Sequence, residues 1–229
     1  MKLFRTVKQL LKTEEAVPES ATASAPVITL PADSLMVPPA ISEVQTGYLA
    51  GQMLVATPVI DSGCFHKSVV YLFAHSAEGA MGVIINQPVE LVNVDMLLDG
   101  VNMSGEMKER NLPTYFGGPV EKVRGFVVHS TDYYREFSLA RSAELAVTAS
   151  STILSDIAAN QGPKHAALVV GYAAWSAGQL EAEIEANSWI TVPATEQLMF
   201  GTENELKWAT ASKSLGIDMA FYSTAVGHA

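Results

Sequence analysis

One cysteine, Cys64, stands alone among 229 residues. That excludes an internal disulfide and any metal site built from several thiolates. No stretch approaches the roughly 18 consecutive apolar residues that cross a bilayer as a helix. Basic residues are few, 14 lysines and arginines against 24 aspartates and glutamates, for a net charge of −10. A uniformly basic nucleic-acid binder is therefore excluded. The common catalytic signatures are missing too: no G-x-S-x-G, no P-loop, no G-x-G-x-x-G and no H-E-x-x-H. There is no internal repeat and no heptad array.

What is present falls into two parts. Residues 1–46 read as a leader. MKLFRTVKQLLK places Leu3, Val7, Leu10 and Leu11 at helical spacing, with Lys2, Arg5, Lys8 and Lys12 on the polar side. That is a short basic amphipathic helix. Arg5 and Lys8 interrupt it too soon for a secretory signal. Residues 16–46 hold Pro18, Pro26, Pro31, Pro38 and Pro39 and read as an extended linker. Through Glu15 there are four basic and two acidic residues, leaving ten basic and 22 acidic in the rest. The first 15 residues are basic and the remainder distinctly acidic.

Residues 47–229 read as one globular domain. Strands are expected in YLAGQMLVATPV, in SVVYLFAH from Ser68 and in AMGVIIN, the last two joined as a hairpin. Further strands are expected at Thr114–Phe116, Gly125–His129, Ser142–Val147, Ala166–Tyr172 and Trp189–Val192. Helices are expected at Val94–Leu98, Ser150–Asn160, Ser176–Asn187 and Glu203–Leu215. Ser176 would cap its helix, with Gln179 in the capping-box position. Gly216 would end the last one. The class is α/β, of an α+β-like kind, because hairpins argue against a purely parallel sheet.

Four groups carry possible chemistry. Ser62, Cys64 and His66 lie together in DSGCFHK, but triads are assembled by folds and not by adjacency. His75 and His129 each end a strand, where they either meet across a sheet edge to bind a metal or shuttle a proton, or satisfy backbone groups. Glu181 and Glu185 share a helix face, as a carboxylate pair or as solvated surface. In YFGGPVEKVRGFVVH, Gly117 and Gly118 either present N–H groups to an anion or make room for another backbone, with Lys122 and Arg124 nearby.

These segments resemble the YqgE/AlgH family of bacterial proteins. The resemblance is carried by LVATPVIDSGCFHKSVVYLFAHSAEGAMGVIINQPV from Leu54, FGGPVEKVRGFVVHS from Phe116 and GYAAWSAGQLEAEIEANSWITVPA from Gly171. Trp208, LGID at Leu215–Asp218 and the terminal Gly227–Ala229 complete it. It implies a single domain of complex topology, with a curved, mostly antiparallel sheet and flanking helices, in a soluble cytoplasmic protein. It brings no agreed catalytic residue, metal or cofactor, so none is expected. One branch bears a regulatory label from its association with control of alginate synthesis. Phe73 stands where many relatives have a cysteine two residues before the matching histidine, so a redox role built on that thiol is not expected. Ala149–Thr152 departs from a Thr-Ser-Arg-Asp helix start common among relatives.

The candidate ligand-binding set is His75, Asn86, Gly117, Gly118, Arg124, His129, Tyr172, Trp175, Gln179 and Glu181. The expectation is that the strand-end histidines, the glycine turn and the start of the 176–187 helix converge at one sheet edge, suited to a small ligand or peptide. The helix start near Ser176 would favour an anion. The leading function is non-enzymatic regulation or binding through a small ligand or protein partner, with indirect control of transcription and no direct contact with nucleic acid. The alternatives are a hydrolase-like enzyme using His75 or His129 as base, and a structural or oligomerisation module. An apolar content of 48% is compatible with a homo-oligomer.

Overall fold

Strand formation here is driven by burial on both faces, which is why β-branched and aromatic residues run almost unbroken through the longest strands. The computed structural model describes residues 48–89, 92–93, 111–134 and 138–216. The expected leader helix, the linker, the helix over 94–98 and the terminal 217–229 lie outside the described residues. Among those described, the strands are β1 (Gln52–Ala56), β2 (Val69–Ser76), β3 (Gly79–Ile84), β4 (Val92–Asn93), β5 (Asn111–Leu112) and β6 (Thr114–Phe116). They continue as β7 (Val120–Ser130), β8 (Ser138–Arg141), β9 (Leu145–Thr148), β10 (Ala166–Ser176) and β11 (Trp189–Pro193). The helices are α1 (Ser151–Ala158), α2 (Gln179–Glu185), α3 (Glu196–Phe200) and α4 (Asn204–Lys213).

Nine strands form one curled sheet in the order β11-β1-β2-β3-β10-β7-β9-β8, with β6 also on β10. All pairs are antiparallel except β6 with β10. β4 and β5 form a separate ribbon. The class expected from sequence is therefore observed, a half-barrel with a few helices. Curling brings the β8–β9 end across to β2: the Tyr71 hydroxyl of β2 lies 3.2 Å from Ser142 Oγ, between β8 and β9. The hollow side holds Met53, Val55, Tyr71, Phe126, Val128, Val147, Val169 and Tyr172, closed by Leu198 and Met199 of α3 and Ala211 of α4. The outer face has two apolar patches. Leu54, Leu72, Ile84 and Trp175 lie under Leu180 of α2. Val127, Leu168 and Val170 lie under Ile153, Leu154 and Ile157 of α1. Each fully buried aliphatic side chain contributes about 1.5–3 kcal/mol.

Several expectations shift. The helix placed over 176–187 starts only at Gln179, because Ser176 still belongs to β10, and Gly178 is the N-cap. Gln179 Oε1 does reach back to the Ser176 N–H at 3.0 Å, half of the expected box. β8 and α3 had no clear sequence signal. α1 is capped by Ser150, whose side chain accepts from the Thr152 N–H.

The central feature is a crossing. β6 lies beside β10 on the side occupied farther along by β3, and β7 lies on the other side. The chain passes across β10 between Phe116 and Val120. A Cβ on Gly117 would sit 2.2 Å from Gly171 O, and one on Gly118 2.3 Å from the Tyr172 carbonyl carbon. Gly171 has φ +77° and sits at a register shift in β10. Only glycine permits this approach.

Gly118→Ala should abolish cooperative folding, a loss above ~4 kcal/mol, read by circular dichroism and urea denaturation. Gly63→Ala, where φ is +74° and nothing lies within 4 Å of the new Cβ, should cost about 1 kcal/mol. Equal losses would show that the crossing can relax.

Candidate functional site

The structure does not bring the ten candidate residues to one edge. His75 pairs with Ala80, and Ala80 with Trp175 near the end of β10. His129 pairs with Ala166 at its start. Nine residues of strand separate the two positions, roughly 30 Å at about 3.3 Å per residue. The expected meeting of the two histidines is thereby corrected: they end their strands at opposite rims of the sheet.

His129 is fully buried. Its Nδ1–H donates to Ser130 O at 2.9 Å, and Nε2 lies 3.0 Å from Thr148 Oγ1. Burial holds its pKa below the usual histidine value, so the ring is neutral. Asn86 lies at the far end of the β2–β3 hairpin. Its Oδ1 accepts from the Val69 N–H and its Nδ2 donates to Lys67 O, both at 2.9 Å, tying the 57–68 loop to β3. Ser62 and His66 are likewise committed elsewhere, to Asp61 and to Ile60 O, and form no triad with Cys64.

Two groups of candidates do assemble. The first is on the outer face around α2. A register shift at Phe73 turns both Phe73 and Ala74 inward, and so turns His75 outward. The Leu49 N–H donates to His75 Nδ1 at 3.0 Å, which places the proton on Nε2, donating to Glu181 Oε1 at 2.9 Å. The Tyr48 ring stands edge-on to the imidazole at 5.1 Å. The Glu181 carboxyl is held below the usual carboxylate range, chiefly by its own backbone N–H in the first turn, with His75 adding to the effect. Beside this pair lies a latch centred on Glu183. Its Oε2 accepts from Trp175 Nε1 at 2.9 Å and Trp189 Nε1 at 2.7 Å, while Oε1 accepts from Gln179 Nε2 at 2.9 Å. Phe65 packs against both indoles. The helix start that was expected to receive an anion already carries its own carboxylate, Glu181.

The second group lies on the hollow side, beside the crossing. Four residues of β7, Glu121 to Arg124, stand opposite the single residue Gly171 of β10, because Val120 pairs with Tyr172 and Gly125 with Val170. This bulge has Glu121 in the left-handed region at φ +42°. It lays the Arg124 guanidinium 5.8 Å from the Phe126 ring centroid and 3.1 Å from Glu121 Oε2. The Tyr172 hydroxyl is 3.5 Å from Glu121 Oε1. Burial first, and the Glu121 charge second, push the Tyr172 phenol up, so it stays a donor. Gly117 and Gly118 form no open anion cradle: the Gly117 N–H donates to Val170 O, and its carbonyl accepts from the Ile84 N–H, both at 2.8 Å.

Two residues lie outside the candidate set. Glu183 shares the inner stripe of α2 with Leu180 and Ile184, a spacing that was readable. Lys207 is buried on the hollow side, its Nζ donating to Ile85 O at 2.8 Å and lying 4.6 Å from the Tyr115 ring centroid. Burial pushes its amine down to about 8. Nothing in NELKWATASK marks it as internal. Among the described residues, no group of three or more His, Cys, Asp or Glu side chains is arranged to hold a metal ion.

Comparison with known proteins gives concordant findings. A family model described as AlgH-like matches residues 53–220. A UPF0301 protein of Mesorhizobium japonicum is 43% identical over 190 residues, covering 80% of this chain and 94% of that protein. One from Rhodospirillum rubrum is 40% identical over 191 residues, covering 83% and 100%. The solution structure of the AlgH protein from Pseudomonas aeruginosa superposes with a TM-score of 0.63 at 33% identity, over 82% of this chain and all of that one. A Corynebacterium diphtheriae protein shares the fold, with TM-score 0.57 at 21% identity, over 80% of this chain and 95% of that one.

Glu183→Gln must turn an amide N–H₂ toward the indoles or toward Gln179. It should cost about 2–3 kcal/mol and red-shift tryptophan fluorescence, whereas the exposed Glu185→Gln should be neutral in both. For Lys207, the unfolded chain holds the proton more tightly between pH 8 and the ordinary lysine value. Stability should therefore rise with pH through that window and fall as pH drops through 8. Against Lys207→Met, the wild type should gain up to about 1.4 kcal/mol per pH unit there. Parallel pH curves in urea denaturation would show that the amine is not desolvated.

Proposed function

This chain belongs to the AlgH-like family, and we propose that it is a non-enzymatic binding protein that regulates through a small ligand or a protein partner. The observation that supports this reading is that His75 and His129 have both ring nitrogens committed within the fold, at opposite rims of the sheet. His75 Nδ1 already accepts a backbone N–H, and His129, although it accepts from the Thr148 hydroxyl, is buried together with it, so neither is placed to act as the base of a hydrolase. His75 with Trp175, Gln179 and Glu181 serves to fix α2 and the incoming chain at Tyr48 to the sheet. Arg124, Tyr172 and the Gly117–Gly118 crossing form the ligand-facing group, because there a charged side chain keeps donors unspent. The acidic balance of the chain favours control of transcription through a partner and not by contact with DNA. A lone cysteine fits a reducing cytoplasm.

Native mass spectrometry of the protein purified gently from its own cells, set against its denatured mass, should show a non-covalent ligand or a co-purifying protein. Activated esters should be hydrolysed no faster than in buffer. Hydrolysis that vanishes in His75→Gln overturns the reading, and so does a chain that carries neither ligand nor partner.

A further inference from the structure

The Arg124 side chain is 12% exposed, yet only its Nη1 is bonded, to Glu121. Its Nε is closed to solvent and has no hydrogen-bond partner among the described residues. A buried, unmatched donor on a permanent cation is costly, and folded proteins rarely keep one without a use. The guanidinium is planar, and its Nε–Nη2 edge offers two parallel donors at carboxylate spacing. Phe126 backs the plane, and the Tyr172 hydroxyl stands beside it as a further donor. Glu121 meets Arg124 from the Nη1 side, on a bulge strained by its left-handed backbone.

We propose that Glu121, Arg124 and Tyr172 form a binding site for a small molecule bearing a carboxylate, which takes the Nε–Nη2 edge of Arg124 once displacement of Glu121 frees the guanidinium to turn that closed edge outward. The proposal rests on the binding reading above and names its ligand class. Glu121 is a built-in competitor: it neutralises the cation when the site is free, and its displacement lets the bulge relax. A single guanidinium next to a carboxylate matches one negative charge, so a monocarboxylate suits the site better than a dianion such as phosphate. An apolar body on the ligand would rest against Val123, which is 53% exposed on the same bulge.

The test uses the full chain labelled with ¹⁵N. Arg124 is one of five arginines, so the Nε–H resonances are few, and Arg124→Lys assigns the relevant one. Acetate, hexanoate, benzoate and inorganic phosphate serve as probes. A carboxylate should move the Arg124 Nε–H resonance saturably and raise Tm, with hexanoate or benzoate stronger than acetate. Arg124→Lys should lose the Tm response, and Glu121→Gln should bind roughly tenfold tighter. If Arg124→Lys does not fold, the wild-type resonance and Glu121→Gln decide. A resonance that no carboxylate moves overturns the proposal. So does movement with phosphate alone, or an equal Tm response in Arg124→Lys. A silent Arg124 without ester hydrolysis removes the carboxylate assignment only. Ester hydrolysis dependent on His75 removes the non-enzymatic reading and leaves carboxylate binding to stand on its own result.

Discussion

The backbone-to-backbone contact where the 117–119 segment crosses β10 sets the rest of the structure. It lets one short stretch of chain pair with β10 on one side as β6 and return on the other as β7. Gly117 also accepts from Ile84, so β3, β6 and β10 are joined through one residue. With no Cβ at positions 117, 118 and 171, the strands come into direct contact and the sheet can curl around its own core. A side chain at any of the three would push the crossing apart, and the hollow side would lose its wall.

Curling has a second consequence. Both faces of the central strands are buried, so polar groups near them must be matched internally. Glu183 illustrates a matched case, a carboxylate whose two oxygens receive three donors from Trp175, Trp189 and Gln179. His129 is another, neutral and held at both nitrogens. Lys207 reaches a carbonyl and a phenol, and burial pushes its amine down. Arg124 is the unmatched case. The contrast among these four groups, and not the presence of charge as such, sets Arg124 apart from the residues whose polar atoms are matched within the fold.

Much of this was legible in the sequence. The hairpin of β2 and β3, the central position of β10, the cap at Ser150 and the Pro193 stop of β11 follow from local patterns of β-branching, capping and proline. The resemblance carried the class of fold. Of the candidate site, the unusual character of FGGPVEKVRG was readable, because two glycines followed by a charged stretch between strands is rare in a plain hairpin. What Gly117 and Gly118 do was not readable: the same dipeptide serves an anion cradle or a backbone crossing, and only the neighbour at 2.2 Å distinguishes them. β8 and α3 were missed because short elements at the rim of a curled sheet draw their stability from tertiary contacts and leave little periodicity behind.

The sequence by itself determined which segments are extended, which are helical, and that the apolar strands need cover on two sides. It determined the acidic balance and the scarcity of thiols, and with them the chemistry that is excluded. Which face each functional side chain occupies was decided only in the tertiary structure. The shift at Phe73 turns His75 outward, and the shift at Gly171 turns Tyr172 inward and Trp175 outward. A strand alternates with a period of two, so one extra residue reverses every side chain beyond it. Whether that residue is absorbed depends on the partner strand, which local sequence does not contain.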